Sequence, residues 1–462
     1  MRTISHENES DDRSPHSKAL LWLAVPAVAV TFFVTGHDPG MSLQENFTLT
    51  TDELESAAEG GNTLRRAAFA GLAGCGLVLL VLPGGGRLHA APQRTIPLML
   101  FAAWCAASIV WSDDPAMTVR RLAAMGCLAV AALGFARYFT FRDLVWLVLT
   151  VSTLYLFAGV AAELRNGTFR PWSGEFRFAG TLHPNTQGLN LAALSLSALC
   201  LARAASRRRL ALYLLFGVAM VFLVLTKSRT SLAGVLVALG LIWTVRTPLR
   251  AKAAVALAGA WLVAVVALCA TLAGLEAHRD IQDLALLGRE EEADSLTGRV
   301  PLWTELAGWA GRRPLSGYGF DTFWTDERIN AISDEMQWGL HEAHSSYLDI
   351  VLSVGLIGGG LLLLVLLPTV VRSARLFRAT GRPEHAFVFG WLAFALLNGL
   401  TESAMTMPLH PTFVAACGLI SVLLKPCEVR LGAPEAASLS RAGALQRAPA
   451  SAALPHSVGS LT

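Results

Sequence analysis

Apolar runs long enough to cross a bilayer, separated by short polar connections, recur along nearly the whole chain. Hydrocarbon admits a spanning α-helix of about 20 mostly apolar residues, because every backbone polar group inside it must find its partner within the segment. Hydropathy predicts about twelve spans: Ala19 to Thr35, Leu64 to Leu82, Ile96 to Val110, Val119 to Phe139, Leu144 to Ala162, Gln187 to Leu201, Leu210 to Thr226, Leu232 to Val245, Ala253 to Leu275, Tyr347 to Val371, Ala386 to Leu400 and Thr412 to Leu424. The runs from Ile96, Gln187 and Leu232 are short. The pattern predicts an all-α polytopic membrane protein.

The polar connections set the organisation. Lys and Arg are enriched in cytoplasmic loops. Arg203 with Arg207, Arg208 and Arg209, Arg246 with Arg250 and Lys252, and Arg372 with Arg375, Arg378 and Arg382 fall on one side of the map. With that side inside, both termini are cytoplasmic, and the segments around Asp38 to Glu59, Glu163 to Thr181 and Glu276 to Ala343 lie outside. The expected order is a cytoplasmic segment (1–18), nine spans (19–275), a large outer loop (276–346), three spans (347–425) and a cytoplasmic tail (426–462). The tail is rich in Ala, Ser and Pro and is expected to be disordered. The N-terminal polar stretch ends at Lys18, and the apolar run after it has no A-x-A-like site, so it reads as an uncleaved first span.

Composition agrees: 53% of residues are hydrophobic and 15% charged, against about 25% charged in soluble domains. A net charge of +3, with basic residues scattered in short loops, excludes nucleic acid as the expected partner. The seven cysteines sit almost entirely in apolar runs without C-x-x-C spacing and read as small core residues.

The candidate chemistry lies in the outer loops. Residues Arg279 to Asp294 read as a solvated charged stretch. The next segment predicts an amphipathic helix starting near Pro301, with Leu302, Leu306 and Trp309 on one face, lying on the outer leaflet. In Pro314-Leu-Ser-Gly-Tyr-Gly-Phe320, two glycines allow close backbone approach to a ligand or a neighbouring helix. His341-Glu-Ala-His344 then enters the tenth span, where an imidazole can take up a proton near neutral pH. Cations in short outer loops run against the charge bias, so Arg177 and Arg229, with Arg299, ask for another role. Guanidinium groups bind phosphate oxygens bidentately, and the three could converge on a lipid-linked diphosphate, or each pair with a carboxylate or headgroup. Lys227-Ser228 lacks the glycines of a P-loop, and HEAH lacks HExxH spacing, so neither a nucleotide nor a metal is expected.

FAGTLHPN, then KSRT, then GRVPLW with PLSGYGFDTFW, then HSSYLDIVLSVGLIG, in that order, resembles the O-antigen ligase and polymerase superfamily of bacterial envelope polysaccharide assembly, nearest its exopolysaccharide-polymerase-like branch. The resemblance implies a membrane glycosyltransferase of GT-C-type fold in the bacterial inner membrane, with a periplasmic site acting on glycans carried by undecaprenyl diphosphate. It implies diphosphate binding by Arg177, Arg229 and Arg299, a catalytic base in His344, no metal and no cofactor. His183, Asn185, Tyr318, His341 and Glu402 are expected substrate contacts, Trp324 a stacking or anchoring residue, and His410 a neighbour of Glu402 at the pocket border. The acceptor would be a glycan or a lipid A core, with other polysaccharide-export proteins as further partners. Related sequences commonly carry Asn after the His, whereas Ser345 stands here. A lipid-linked glycan flippase is the alternative, expected to show internal repeats around a midplane cavity; a small-anion transporter is weaker.

Overall fold

The computed structural model describes residues 15–36, 63–174, 176–255, 257, 261, 295–336 and 339–425. The predicted span Ala253 to Leu275 beyond its first turn, the outer segment Asp38 to Glu59, the charged stretch Arg279 to Asp294, most of the N-terminal segment and the tail lie outside them.

The described elements are helical: α1 Pro15–Gly36, α2 Thr63–Val81, α3 Pro92–Ala107, α4 Pro115–Tyr138, α5 Phe141–Asn166, α6 Pro184–Ala204, α7 Arg209–Leu225, α8 Arg229–Arg246, α9 Ser295–Arg312, α10 Asp326–Met336, α11 Ser346–Thr380, α12 Pro383–Asn398 and α13 His410–Leu424. Among the described residues, seven helices are long and apolar enough to cross a membrane: α1 from Ala19, α2, α3 with the turn after it, α4, α5, α8 and α11. The predicted spans on α7 and α13 fall in apolar helices of 17 and 15 residues, and that on α12 in a helix of 16.

Local chemistry explains several boundaries. Thr140 and Asp143 form a capping box at the start of α5, and Gly167 ends it with φ 68°. Asp114 accepts the Met117 N–H at 2.8 Å just before Pro115 opens α4. The 21-residue α6 is buried along almost its whole length. Ser195 and Ser197 there turn their hydroxyls onto backbone carbonyls of their own helix, at 2.8 and 3.0 Å. A helix surrounded by other helices can carry such residues because it faces no lipid.

Outside the bundle, α9 and α10 share a core. Leu302 and Leu306 pack with Tyr318, Phe323, Ile329, Ile332 and Leu340. Two expectations need correction here. The amphipathic helix begins at Ser295, six residues before Pro301, and its apolar face is covered by the loop's own residues rather than turned to the leaflet. The loop is also fastened to the corner between α3 and α4. Arg313 and Arg328 both bond Asp113, the former at 2.8 Å, and Arg121 pairs with Asp321 at 2.8 Å. The Trp111 indole donates to the Ser316 carbonyl at 3.0 Å.

Helix α11 is broken at Gly355, which has φ 68° and ψ −175°. The Gly-Tyr-Gly turn inserts at the break: Tyr318 N–H donates to Leu352 O at 2.8 Å, Gly319 N–H to Ser353 O at 2.9 Å, and Leu356 N–H to Pro314 O at 2.8 Å. The Trp104 indole takes the Val354 carbonyl at 2.9 Å. Irregular backbone inside a span requires such protein partners for its freed groups. A Cβ on Gly355 would lie 2.1 Å from Leu315 O, so the two glycine-bearing segments meet backbone to backbone.

Candidate active site

The loop after α5 is held at both ends. Glu163 at the close of α5 accepts the Ala179 and Gly180 N–H groups on one carboxylate oxygen, at 2.9 and 2.7 Å, and Phe178 N–H donates to Leu225 O at the end of α7 at 2.8 Å. Just before these anchors Arg177 reaches inward. Its Nε donates to Thr226 O at 2.9 Å and its Nη2 to Asn185 Oδ1 at 2.7 Å. Burial lowers the Arg177 pKa, with the charge of Glu402 opposing and that of Arg229 adding to the shift. His183 caps α6 by accepting the Asn185 N–H on Nδ1 at 3.3 Å.

Glu402, in the turn between α12 and α13, is the hub. It is 7% exposed. Its carboxylate accepts the Asn185 amide at 3.2 and 3.3 Å, the Thr230 hydroxyl at 3.3 Å and Arg299 Nη2 at 3.4 Å. Arg299 also donates to Thr401 O at 2.8 Å. Burial raises the Glu402 pKa; Arg299 and His344 work against the shift and Glu342 adds to it. The segment Lys227-Ser-Arg-Thr230 passes beside this hub, with Lys227 at φ 52° and Arg229 opening α8.

His344 occupies a strained turn, at φ 48°. The turn is fixed from several sides. Asp349 accepts the Ala343 N–H at 3.1 Å and the Trp324 indole at 3.0 Å, and the Trp303 indole donates to Ala343 O at 2.9 Å. The Ser346 hydroxyl donates to the Glu402 carbonyl at 2.7 Å, tying this turn to the hub. His344 Nδ1 pairs with Glu342 at 2.9 Å. Although burial disfavours its charge, that partner raises the His344 pKa, and His344 in turn lowers that of Glu342.

One potential ligand atom each from Glu342, His344 and Glu402 lies within 4.8 Å of the others, a spacing that could hold a metal ion. The donors already serve other partners, however. Glu342 and His344 pair with each other, and Glu402 takes an arginine, an amide and a hydroxyl. Nearby Arg177 and Arg299 oppose a further cation.

Of the sequence-derived residues, the structure joins Arg177, Asn185, Arg299 and Glu402 through hydrogen bonds, and sets His183 at the edge of that set and His344 near it. His341 is exposed in the same turn, close enough for its charge to act on Glu342. Tyr318 does not join. It is 3% exposed, its hydroxyl donates to Trp309 O at 2.9 Å, and Arg313 and Arg328 lie over its ring. Trp324 is spent on Asp349, and His410 is buried against Asn190 at 3.0 Å. Sequence reasoning passed over Glu342, Glu163, Thr230 and Asp349. Glu342, Thr230 and Asp349 carried a signal, by standing inside the quoted motifs.

Comparison with known proteins bears on this geometry. A family model described as O-Antigen ligase matches residues 212–363, a stretch that carries Arg229, Thr230, Arg299, Glu342 and His344. The exopolysaccharide production protein ExoQ of Rhizobium meliloti is 28% identical over 131 residues, which cover 27% of this chain and 30% of ExoQ. With the apolar helices, these partial matches make the chain similar to multi-pass membrane proteins of the O-antigen ligase and polymerase superfamily. Arg177, His183, Asn185 and Glu402 lie outside the matched stretch and reach its residues only through the fold.

Proposed function

We propose that the chain is a membrane glycosyltransferase of surface-polysaccharide assembly, transferring a glycan from undecaprenyl diphosphate to an acceptor hydroxyl. The observation that carries this reading is the meeting of Asn185, Thr230 and Arg299 on one buried carboxylate, with Arg177 behind Asn185, beside the Glu342–His344 pair. Cations and amide donors gathered at one point suit a diphosphate leaving group, and a carboxylate-paired imidazole suits a general base.

The acceptor oxygen bonds to the anomeric carbon as the bond from that carbon to the diphosphate oxygen breaks. The departing electron pair goes to the diphosphate, where Arg177, Arg229 and Arg299 neutralise it. The acceptor proton passes to His344. With Nδ1 engaged by Glu342, proton uptake falls to Nε2. A single displacement inverts the anomeric configuration and needs neither ATP nor metal. In this reading the fold is of GT-C type, the chain lies in the bacterial inner membrane with both termini cytoplasmic, and the site opens to the periplasm.

The break in α11 would favour the flippase alternative if its freed carbonyls lined a cavity. They are instead taken by the Gly-Tyr-Gly turn and by Trp104, which favours a rigid enzyme.

The test uses purified protein in lipid with an undecaprenyl-diphosphate oligosaccharide, following undecaprenyl diphosphate and glycan length. Release with a ladder of longer glycans identifies a polymerase. Release onto a supplied lipid A core alone identifies a ligase. Activity surviving prolonged chelation supports metal independence. Movement of intact lipid-linked glycan between leaflets without release contradicts the enzyme reading.

A further inference from the structure

The carboxylate of Glu402 stands where an anion site would put its ligand. The N-termini of α6 and α8, helices of 21 and 18 residues, supply Asn185 and Thr230 to it, and their dipoles favour negative charge there. Arg299 supplies a third donor, and Arg177 stands behind Asn185, orienting the amide so that its N–H group faces the carboxylate.

The fit is loose. The four contacts to the Glu402 oxygens measure 3.2, 3.3, 3.3 and 3.4 Å, against about 2.7–2.9 Å for a well-seated charge-assisted bond. A planar carboxylate bearing one charge underfills this cradle, whereas a phosphate oxygen shell is larger and more highly charged. The Glu402 backbone, by contrast, is well held. Its N–H donates to Asn398 O at 3.0 Å, and its carbonyl accepts Ser346 Oγ at 2.7 Å and Ser346 N–H at 3.1 Å. Its side chain can therefore leave by rotation while the turn stays in place.

We infer that Glu402 is a resident counter-anion, holding the cradle together in the empty protein and giving up its place when the donor's diphosphate binds. The inference rests on the reading of this site as a diphosphate site. Without a resident anion, Arg299 would lose its carboxylate partner, and the nearby Glu342 is already paired with His344, so the loss would come at a cost to the fold. With one, the cradle persists between turnovers, and donor binding becomes an exchange of anions.

The test measures binding of inorganic pyrophosphate to the full chain in lipid, with thermal unfolding alongside. Glu402→Gln keeps the size and an acceptor but loses the charge. It should bind pyrophosphate about tenfold more tightly than the native chain, melt lower without it, and recover on its addition. Glu402→Asp, whose shorter side chain draws the carboxylate back, should also bind more tightly, and keeps the test open if the Gln variant fails to fold. Equal or weaker binding in both variants, while Arg177→Ala still weakens native binding, overturns the displacement and leaves the diphosphate site standing. No binding by any form overturns the site reading itself.

Discussion

His344 Nδ1 lies 2.9 Å from a carboxylate oxygen of Glu342, two residues earlier in a turn where His344 itself adopts φ 48°. The positive φ lets two side chains so close in sequence face each other, and the bonds of Asp349 and Trp303 to Ala343 hold the intervening residue in place. Strain of this kind persists only where the surroundings over-determine it. The result is an imidazole with a fixed carboxylate partner.

That pairing predicts a pH effect. Burial pushes the His344 pKa down, but the hydrogen bond and charge of Glu342, joined by Glu402 and opposed by Arg299, raise it above its ordinary value. A general base works in its neutral form, so kcat should fall as pH drops through this raised value. Glu342→Gln removes the largest upward influence. The acidic limb of the pH–rate profile should move to lower pH, with kcat at neutral pH down roughly tenfold or more and KM little changed. An unmoved limb would dissociate Glu342 from the base.

Asp113, 27% exposed on its side chain, joins the outer loop to the α3–α4 corner through Arg313 and Arg328. Burial would raise its pKa, but the two guanidinium groups outweigh that and lower it. A lowered carboxylate contributes stability above its unfolded pKa of about 3.9, and that contribution is lost as pH falls through the folded value. Asp113→Asn should cost up to about 1 kcal/mol near neutral pH, because the pair is solvent-screened, read as a lower midpoint of thermal unfolding. The difference from the native chain should shrink in strong acid.

Gly355→Ala should be poorly tolerated. The residue holds φ 68°, and its new methyl would lie 2.1 Å from the Leu315 carbonyl. Expulsion of the Gly-Tyr-Gly turn would leave the Leu352 and Ser353 carbonyls unpaired inside the bundle. A loss of at least about 2 kcal/mol is expected, with new protease cleavage between 314 and 320 as its local signature.

Much of the fold is legible because lipid imposes a rule on any helix that faces it. The long apolar helices α1 to α5, α8 and α11 stand out in the hydropathy pattern for this reason. The shorter α7, α12 and α13 were legible as well, as apolar helices of 17, 16 and 15 residues on the runs that predicted them. The covering of Leu302 and Leu306 could not be read, because helical periodicity shows an apolar face but not what lies against it. Tyr318 drew notice between two glycines, yet those glycines serve the approach to Gly355, and the ring between them fills a core. Arg177, Asn185 and Glu402 are far apart in sequence, and only the packing of α6, α8 and the turn before α13 brings them together. Glu342 was hidden in plain view, since its pairing depends on a backbone angle that no motif records.

The most direct test of the central claim is a single-turnover measurement on His344→Ala in lipid, with undecaprenyl-diphosphate oligosaccharide as donor and binding of the same donor measured in parallel. The proposed role predicts release of undecaprenyl diphosphate slowed about 100- to 10,000-fold, with donor binding close to native. Release at the native rate from this variant would contradict the account.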